Sequence, residues 1–379
     1  MKIIKKELDE MDKFSCDGSY ERDLAEYTES VVERYGVSSN TAEREILYLA
    51  DKGNTVALKL YADMVFYKKM LKKNPYREAF SLYLRSAGIS TEADKWDFDS
   101  HSYPLSFWMV GYYLVNYRRE SVLKYCEEIE GIERMSLPQR FGTALGLAVA
   151  ALKYVKAPGA MNLIGRILQA AGQDGELYEA LEKDIKSNIS KELLEGLGLD
   201  ETSIEEGISR ETGLDLESGY PNTLAFMSEL FFSKAANEGY VYACNNLARR
   251  EADHILELSK DKDGDIEIQK HVLRYRDYLK LSADKYEPYA ANSLGLFYEV
   301  GEIRGSDGNY ICRDYVDHAL AREYFKKATI YPDKNSAWGY LNLIKYCHKI
   351  YEGNLDLLNE HMDYIKELNP EVYDIAIEL

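Results

Sequence analysis

The chain has 379 residues, 46% of them hydrophobic and 12% aromatic, which is ample material for a core and excludes global disorder. A net charge of −18 and a pI of about 4.9 exclude a general nucleic-acid or anionic-membrane partner, because a phosphate backbone needs a basic footprint. The five cysteines (Cys16, Cys126, Cys244, Cys312 and Cys347) are far apart and form no CxxC, which fits a reducing compartment and neither a disulfide framework nor a zinc site. The first residues, Met1 to Glu7, carry positive charge with no apolar run behind them, unlike a signal peptide. No stretch approaches the roughly 18 to 20 apolar residues of a spanning helix, so the expectation is a cytoplasmic protein.

Apolar spacings of three and four recur throughout and period-2 alternation is scarce, which predicts an all-α fold. Residues 1–40 are expected to form an N-terminal helical cap, and 41–172 a set of N-terminal helical repeats. Within the latter, helices are predicted over 42–52, 54–71, 76–87, 104–117, 119–130, 140–155 and 159–172, paired in that order from 104 onward. The pattern breaks over 173–220. There, residues 196–219 hold seven acids, one base and five glycines, and the reading is a partly ordered acidic crossover, since Leu197, Leu199, Ile204, Ile208, Leu214 and Leu216 call for burial. Residues 221–379 are the clearest repeats, with helices predicted over 222–238, 240–258, 268–285, 288–301, 313–330, 335–351 and 354–368. Pro370 to Leu379 should pack as a terminal cap.

One short phrase returns along the chain. A small residue is followed seven positions later by Ala: Ala50 and Ala57, Ala236 and Ala243, Ala283 and Ala290. Gly follows closely at Gly53 and Gly239, and Leu at Leu247 and Leu294. Such periodicity is the mark of stacked helical repeats. Small residues belong where two backbones approach closely, and a larger one there forces the helices apart. Gly239, Gly301 and Gly353 are expected to end helices in the left-handed conformation.

Sequence signals for chemistry are sparse. There is no GxGxxG after a strand, no Walker loop, no HExxH and no GxSxG, so a non-catalytic role is expected, with no cofactor and no metal. The six histidines are scattered, and His254 beside Asp253 reads as a solvated pair. Asp261, Asp263, Gly264 and Asp265 resemble a calcium loop but put Ile266 after the third Asp and Val272 at the twelfth position, so a polar turn is the better reading. The loop at Lys260–Asp265 lies within the 47-residue spacing from Ala236 to Ala283, and a second long loop follows at Glu302–Asp314.

Ala290-Ala-Asn-Ser-Leu294-Gly295-Leu-Phe-Tyr298-Glu-Val-Gly301, followed by Ala321-Arg-Glu-Tyr-Phe325-Lys-Lys-Ala328, resembles a Sel-one-like repeat, a bacterial relative of the tetratricopeptide repeat. Residues 54–88 and 222–285 carry further copies, 335–368 is a weaker one, and 173–220 does not match. The resemblance implies a right-handed α-α superhelix, a solenoid of antiparallel helix pairs. It also implies that the first helix of each pair faces a concave groove, with the positions one before and two after the small Ala pointing inward. Those positions are Tyr242, Asn245, Tyr289 and Asn292, with Arg249 and Leu296 further along. Tyrosine and arginine are frequent interface anchors, and asparagine can bond an extended backbone. The implied function is a scaffold or adaptor taking a peptide or helix of a protein partner in the groove. The alternative is a ligand-sensing regulator whose groove closes on a small molecule or signalling peptide.

Overall fold

A computed structural model describes residues 39–66, 74–89, 103–118, 123, 129–154, 157–198, 220–260, 265–330 and 335–379. Among these residues there are seventeen α-helices and one two-stranded sheet, so the protein is all-α. Residues 1–38 of the cap expected over 1–40, most of the helix expected over 119–130, the turn over 261–264 and residues 199–219 of the acidic run expected over 196–219 lie outside the described residues. The described residues fall into two compact units, divided between Tyr240 and Val241.

The first unit contains α1 (Ser39–Asp51), α2 (Thr55–Phe66), α3 (Pro75–Ser86), α4 (Pro104–Asn116), α5 (Glu130–Glu133), α6 (Leu137–Tyr154), α7 (Pro158–Gln173), α8 (Gly175–Asn188), α9 (Lys191–Gly196) and α10 (Tyr220–Asn237). Proline opens α3, α4 and α7, where its missing N–H leaves no helical bond unmade. Helices α1, α2 and α3 pack in sequence order, and Ala57, Leu60, Ala79 and Tyr83 are fully covered.

Pairing then departs from chain order. Helix α4 packs chiefly on α6, and α7 packs chiefly on α10, which the sequence pattern had grouped with the C-terminal repeats. The reason is the close fit at Gly165: a Cβ there would stand 2.6 Å from the Phe232 ring and 3.0 Å from the Ser228 carbonyl oxygen. Part of the crossover is ordered. Asp174 caps α8 by accepting the Leu177 N–H, and Leu177, Leu181, Ile185 and Leu197 are buried.

The second unit contains α11 (Val241–Leu258), α12 (Asp265–Ala283), α13 (Pro288–Val300), β1 (Glu302–Arg304), β2 (Asn309–Ile311), a 3-10 turn (Arg313–Tyr315), α14 (His318–Lys327), α15 (Ser336–Tyr346), a second 3-10 turn (His348–Tyr351), α16 (Leu355–Leu368) and α17 (Pro370–Ala376). Helices α11 with α12, α13 with α14, and α15 with α16 form successive pairs, and α17 packs on α15 and α16. The core runs through Ala248, Ala252, Ala283, Ala290, Ala291, Leu294 and Phe297, small residues at the seams and large ones between them.

The loop expected over 302–314 is a β-hairpin. Its register pairs Glu302 with Ile311, Ile303 with Tyr310 and Arg304 with Asn309. Ile303 is driven into the core of α11, α12 and α13, while the two short strands keep most other side chains outside. Gly301 makes the entry possible: φ is +75°, and a Cβ would lie 2.2 Å from the Cys312 carbonyl oxygen. The helix expected to start at 313 starts at His318, because the Asp317 side chain accepts the Ala319 and Leu320 N–H groups.

Candidate functional site

Helix α11 presents Tyr242, Asn245 and Arg249 at spacings of three and four, so they share one face. Tyr242 and Arg249 are exposed and Asn245 is half-buried. Asn245 Nδ2 donates to Glu287 Oε2 at 2.8 Å, and Asn245 Oδ1 is buried and accepts nothing. Glu287 is the N-cap of α13: its carboxylate accepts the Tyr289 N–H at 3.2 Å and the Ala290 N–H at 2.7 Å. A negative cap at a helix start is favoured by the helix dipole, which is why a buried carboxylate stays there. Asn245 therefore ties α11 to the first turn of α13, and half-buried Tyr289 stands one residue into that turn.

Tyr286, just ahead of this cap, has φ of +60°. In the preceding copy of the phrase the corresponding position is Gly239, at φ +91°. A bulky side chain held left-handed costs about 1–2 kcal/mol, and such strain collects at functional sites.

The remaining expected groove residues point elsewhere. Asn292 is 6% exposed, and its Oδ1 accepts Asn342 Nδ2 at 2.8 Å. It is a clip between α13 and α15 rather than a free groove contact. Leu296 is 3% exposed and packs with Ala321, Phe325, Leu343 and Tyr351. The groove reading is corrected at these two positions. The stacking of α15 on α13 covers them, and a spacing rule taken along one helix does not register that cover.

Two polar clusters escaped the sequence reading. Asp253 and His254 remain at the surface, half-buried and exposed, but each has a partner on another element. Asp253 Oδ2 accepts the Ser306 hydroxyl at 2.9 Å and Oδ1 accepts the Ser306 N–H at 2.5 Å, holding the hairpin tip. His254 lies against His271 with ring centroids 5.3 Å apart, and His271 Nδ1 is 2.5 Å from buried Glu251 Oε2. These contacts cross between α11 and α12 or reach the hairpin, so no spacing within one helix could reveal them.

In the first unit, Lys59 Nζ lies 2.6 Å from Asp63 Oδ2, and the Tyr83 hydroxyl donates to Asp63 Oδ1. All three side chains are buried, and burial pushes the Asp63 carboxyl above its ordinary value against the pull of Lys59. The i,i+4 spacing of Lys59 and Asp63 was visible in the sequence, but their burial was not.

Burial raises the Cys244 thiol to about 11, which leaves it protonated and unreactive near neutrality. Among the described residues, no group of three or more His, Cys, Asp or Glu is placed to hold a metal ion. No helix among them is long and apolar enough to cross a membrane. The chain matches no protein-family model, no curated protein and no solved structure.

Proposed function

We propose that this chain is a non-catalytic interaction scaffold of the Sel-one-like kind, acting in the cytoplasm. Its second unit takes an extended peptide segment of a protein partner across the face of Tyr242, Asn245, Arg249 and Tyr289. Right-handed superhelical stacking of the helix pairs within each unit belongs to the same proposal. The observation that carries it is the face itself: Tyr242 and Arg249 are exposed on one side of α11, and Asn245 between them is tied to the Glu287 cap beside Tyr289. Tyr242 and Arg249 supply anchoring area and charge for a peptide laid along that face. Strain at Tyr286 supports the reading, since the chain keeps an aromatic where glycine would be relaxed.

Panning a random peptide library on the full chain tests this. Selected peptides should bind Tyr242→Ala/Arg249→Ala and Asn245→Asp at least about tenfold more weakly, a difference of about 1.4 kcal/mol. Both replaced side chains of the first variant point away from the core, so its fold is expected to survive. Equal binding by wild type and both variants would remove the site from this face.

A further inference from the structure

Helices α11 and α12 meet across two histidines and two carboxylates that the Tyr242 face does not use. Glu251 and His254 stand one turn apart on α11, and Glu267 and His271 one turn apart on α12, so each pair shares a helix face. Glu251 is 6% exposed. Its Oε2 meets His271 Nδ1 at 2.5 Å, and its Oε1 lies 4.0 Å from Arg274 Nη1. An ionised carboxylate can only accept, so the proton of the ring sits on Nδ1 and Nε2 presents a lone pair. A buried carboxylate holding one ring nitrogen is the arrangement that orients metal-ligating imidazoles.

A glutamate–histidine pair is complete without a further partner, and it does not account for the second imidazole. His254 is exposed, yet its ring lies against that of His271, with centroids 5.3 Å apart and planes 31° from parallel. The spacing has a use. An imidazole bound to Zn²⁺ at about 2.1 Å puts its centroid about 3.2 Å from the ion, so two such rings at the tetrahedral angle have centroids about 5.2 Å apart. A third donor is within reach. Glu267 Oε1 is 4.0 Å from His271 Nε2, where two donors on one tetrahedral ion stand about 3.4 Å apart. The Glu267 side chain is 52% exposed, and Lys270 holds only its other oxygen, at 2.8 Å. No three of these groups converge on one point as they stand, so the site is a pair of imidazoles onto which Glu267 has to close.

The donors select the ion. Imidazole nitrogen suits Zn²⁺, Ni²⁺ and Cu²⁺, whereas Mg²⁺ and Ca²⁺ want oxygen alone. We propose that His254 and His271 chelate a divalent transition-metal ion of the zinc class, with Glu267 closing as third ligand and water completing the shell. Glu251 is a positioning residue that fixes the His271 ring. The ion ties α11 to α12 one residue from Asp253, which holds the hairpin tip. Three protein donors bind more weakly than a closed set of four. His254 stands about 120° round α11 from Tyr242, so this site does not depend on the peptide face.

The test titrates Zn²⁺ into the untagged full chain by calorimetry, with each variant's metal-free thermal midpoint measured alongside. Wild type should bind Zn²⁺, its midpoint should rise with the ion, and Mg²⁺ should neither bind nor compete. His254→Gln removes an exposed side chain, so it should keep the metal-free midpoint and bind at least about tenfold more weakly. Glu251→Gln should weaken binding about ten- to a hundredfold, and Glu267→Gln less than either. His318→Gln, at an exposed histidine whose Nδ1 lies 3.1 Å from Glu299, should bind like wild type. In long-range proton–nitrogen spectra Zn²⁺ should shift His271 Nε2 while Nδ1 stays protonated, a signature that a purely structural Glu251–His271 pair would not give. Wild type that takes up no Zn²⁺ overturns the proposal, as does undiminished binding by His254→Gln, an equal loss in His318→Gln, or coordination through His271 Nδ1.

Discussion

Replacing Gly295 by Ala tests the packing of α13 on α14 at its closest point. A Cβ on Gly295 would lie 2.3 Å from both Cδ1 and Cε1 of Phe325 and 3.0 Å from Cγ. Ordinary carbon contacts are about 3.5–4.0 Å, so the ring or the helices must give by more than about 1 Å. Phe325 has little room to yield, being fully buried with its ring stacked 9° from parallel against Tyr346 at 6.1 Å. Overpacking a fitted core costs about 1–3 kcal/mol, and a misfit on two ring atoms belongs at the upper end. Alanine recovers about 1 kcal/mol over glycine in helix propensity. The expected net loss is therefore about 2 kcal/mol, close to thirtyfold in the folding constant. Urea denaturation followed by far-ultraviolet circular dichroism measures it. Gly175→Ala is the control, since nothing lies within 4 Å of a Cβ there, and it should be neutral or slightly stabilising. Phe325→Leu placed in the Gly295→Ala background should restore part of the loss, because the two sites touch. A Gly295→Ala protein as stable as wild type would refute the seam.

Three further outcomes follow from the structure. Gly301→Ala combines a backbone clash at Cys312 with left-handed strain of about 1–2 kcal/mol, so the hairpin should lift. Hydrogen exchange at the Cys312 amide, which donates to the Gly301 carbonyl at 2.8 Å, should accelerate, and unchanged protection would argue against this docking. Asp63→Ala leaves Lys59 buried without its carboxylate and should cost about 3–5 kcal/mol. The shape-matched triple Lys59→Met/Asp63→Leu/Tyr83→Phe should return to within about 1 kcal/mol of wild type, and a loss as large as that of the single variant would mean the ionic group is needed for more than pairing. Burial holds the His361 imidazole below its ordinary value, with Nδ1 sharing a proton with the Tyr351 hydroxyl at 2.8 Å. The unfolded chain therefore takes up that proton first as pH falls, so His361 supports the fold above about pH 6.5 and that support declines through the window below it. Thermal midpoints should fall across this range in wild type and fall less in His361→Gln, and parallel profiles would remove His361 as the source.

Helix positions were largely legible in the residues. Prolines at the first positions of α3, α7, α13 and α17 and positive φ at Gly239, Gly301 and Gly353 punctuate the chain where expected. The reason is local: a missing N–H or a left-handed turn depends on one or two residues and needs no tertiary partner. Helix partners were less legible. That α4 meets α6 and α7 meets α10 depends on which surfaces fit, such as Gly165 beneath Phe232, and one-dimensional order is silent on that. The hairpin after Gly301 escaped because strands of three residues carry no readable alternation.

The site divides in the same way. Periodicity placed Tyr242, Asn245 and Arg249 on one face of one helix, because a 3.6-residue turn sets that face whatever the neighbours. Only tertiary structure decided that Asn245 binds Glu287 and keeps an idle oxygen, that Asn292 is claimed by Asn342, and that Leu296 belongs to the core. Exposure is a property of what packs against a face, and the packing helix lies about fifty positions away in the chain for Asn292 and Asn342. By itself the amino-acid order determined a helical chain with small residues where helices meet. The tertiary structure determined which side chains that packing leaves exposed.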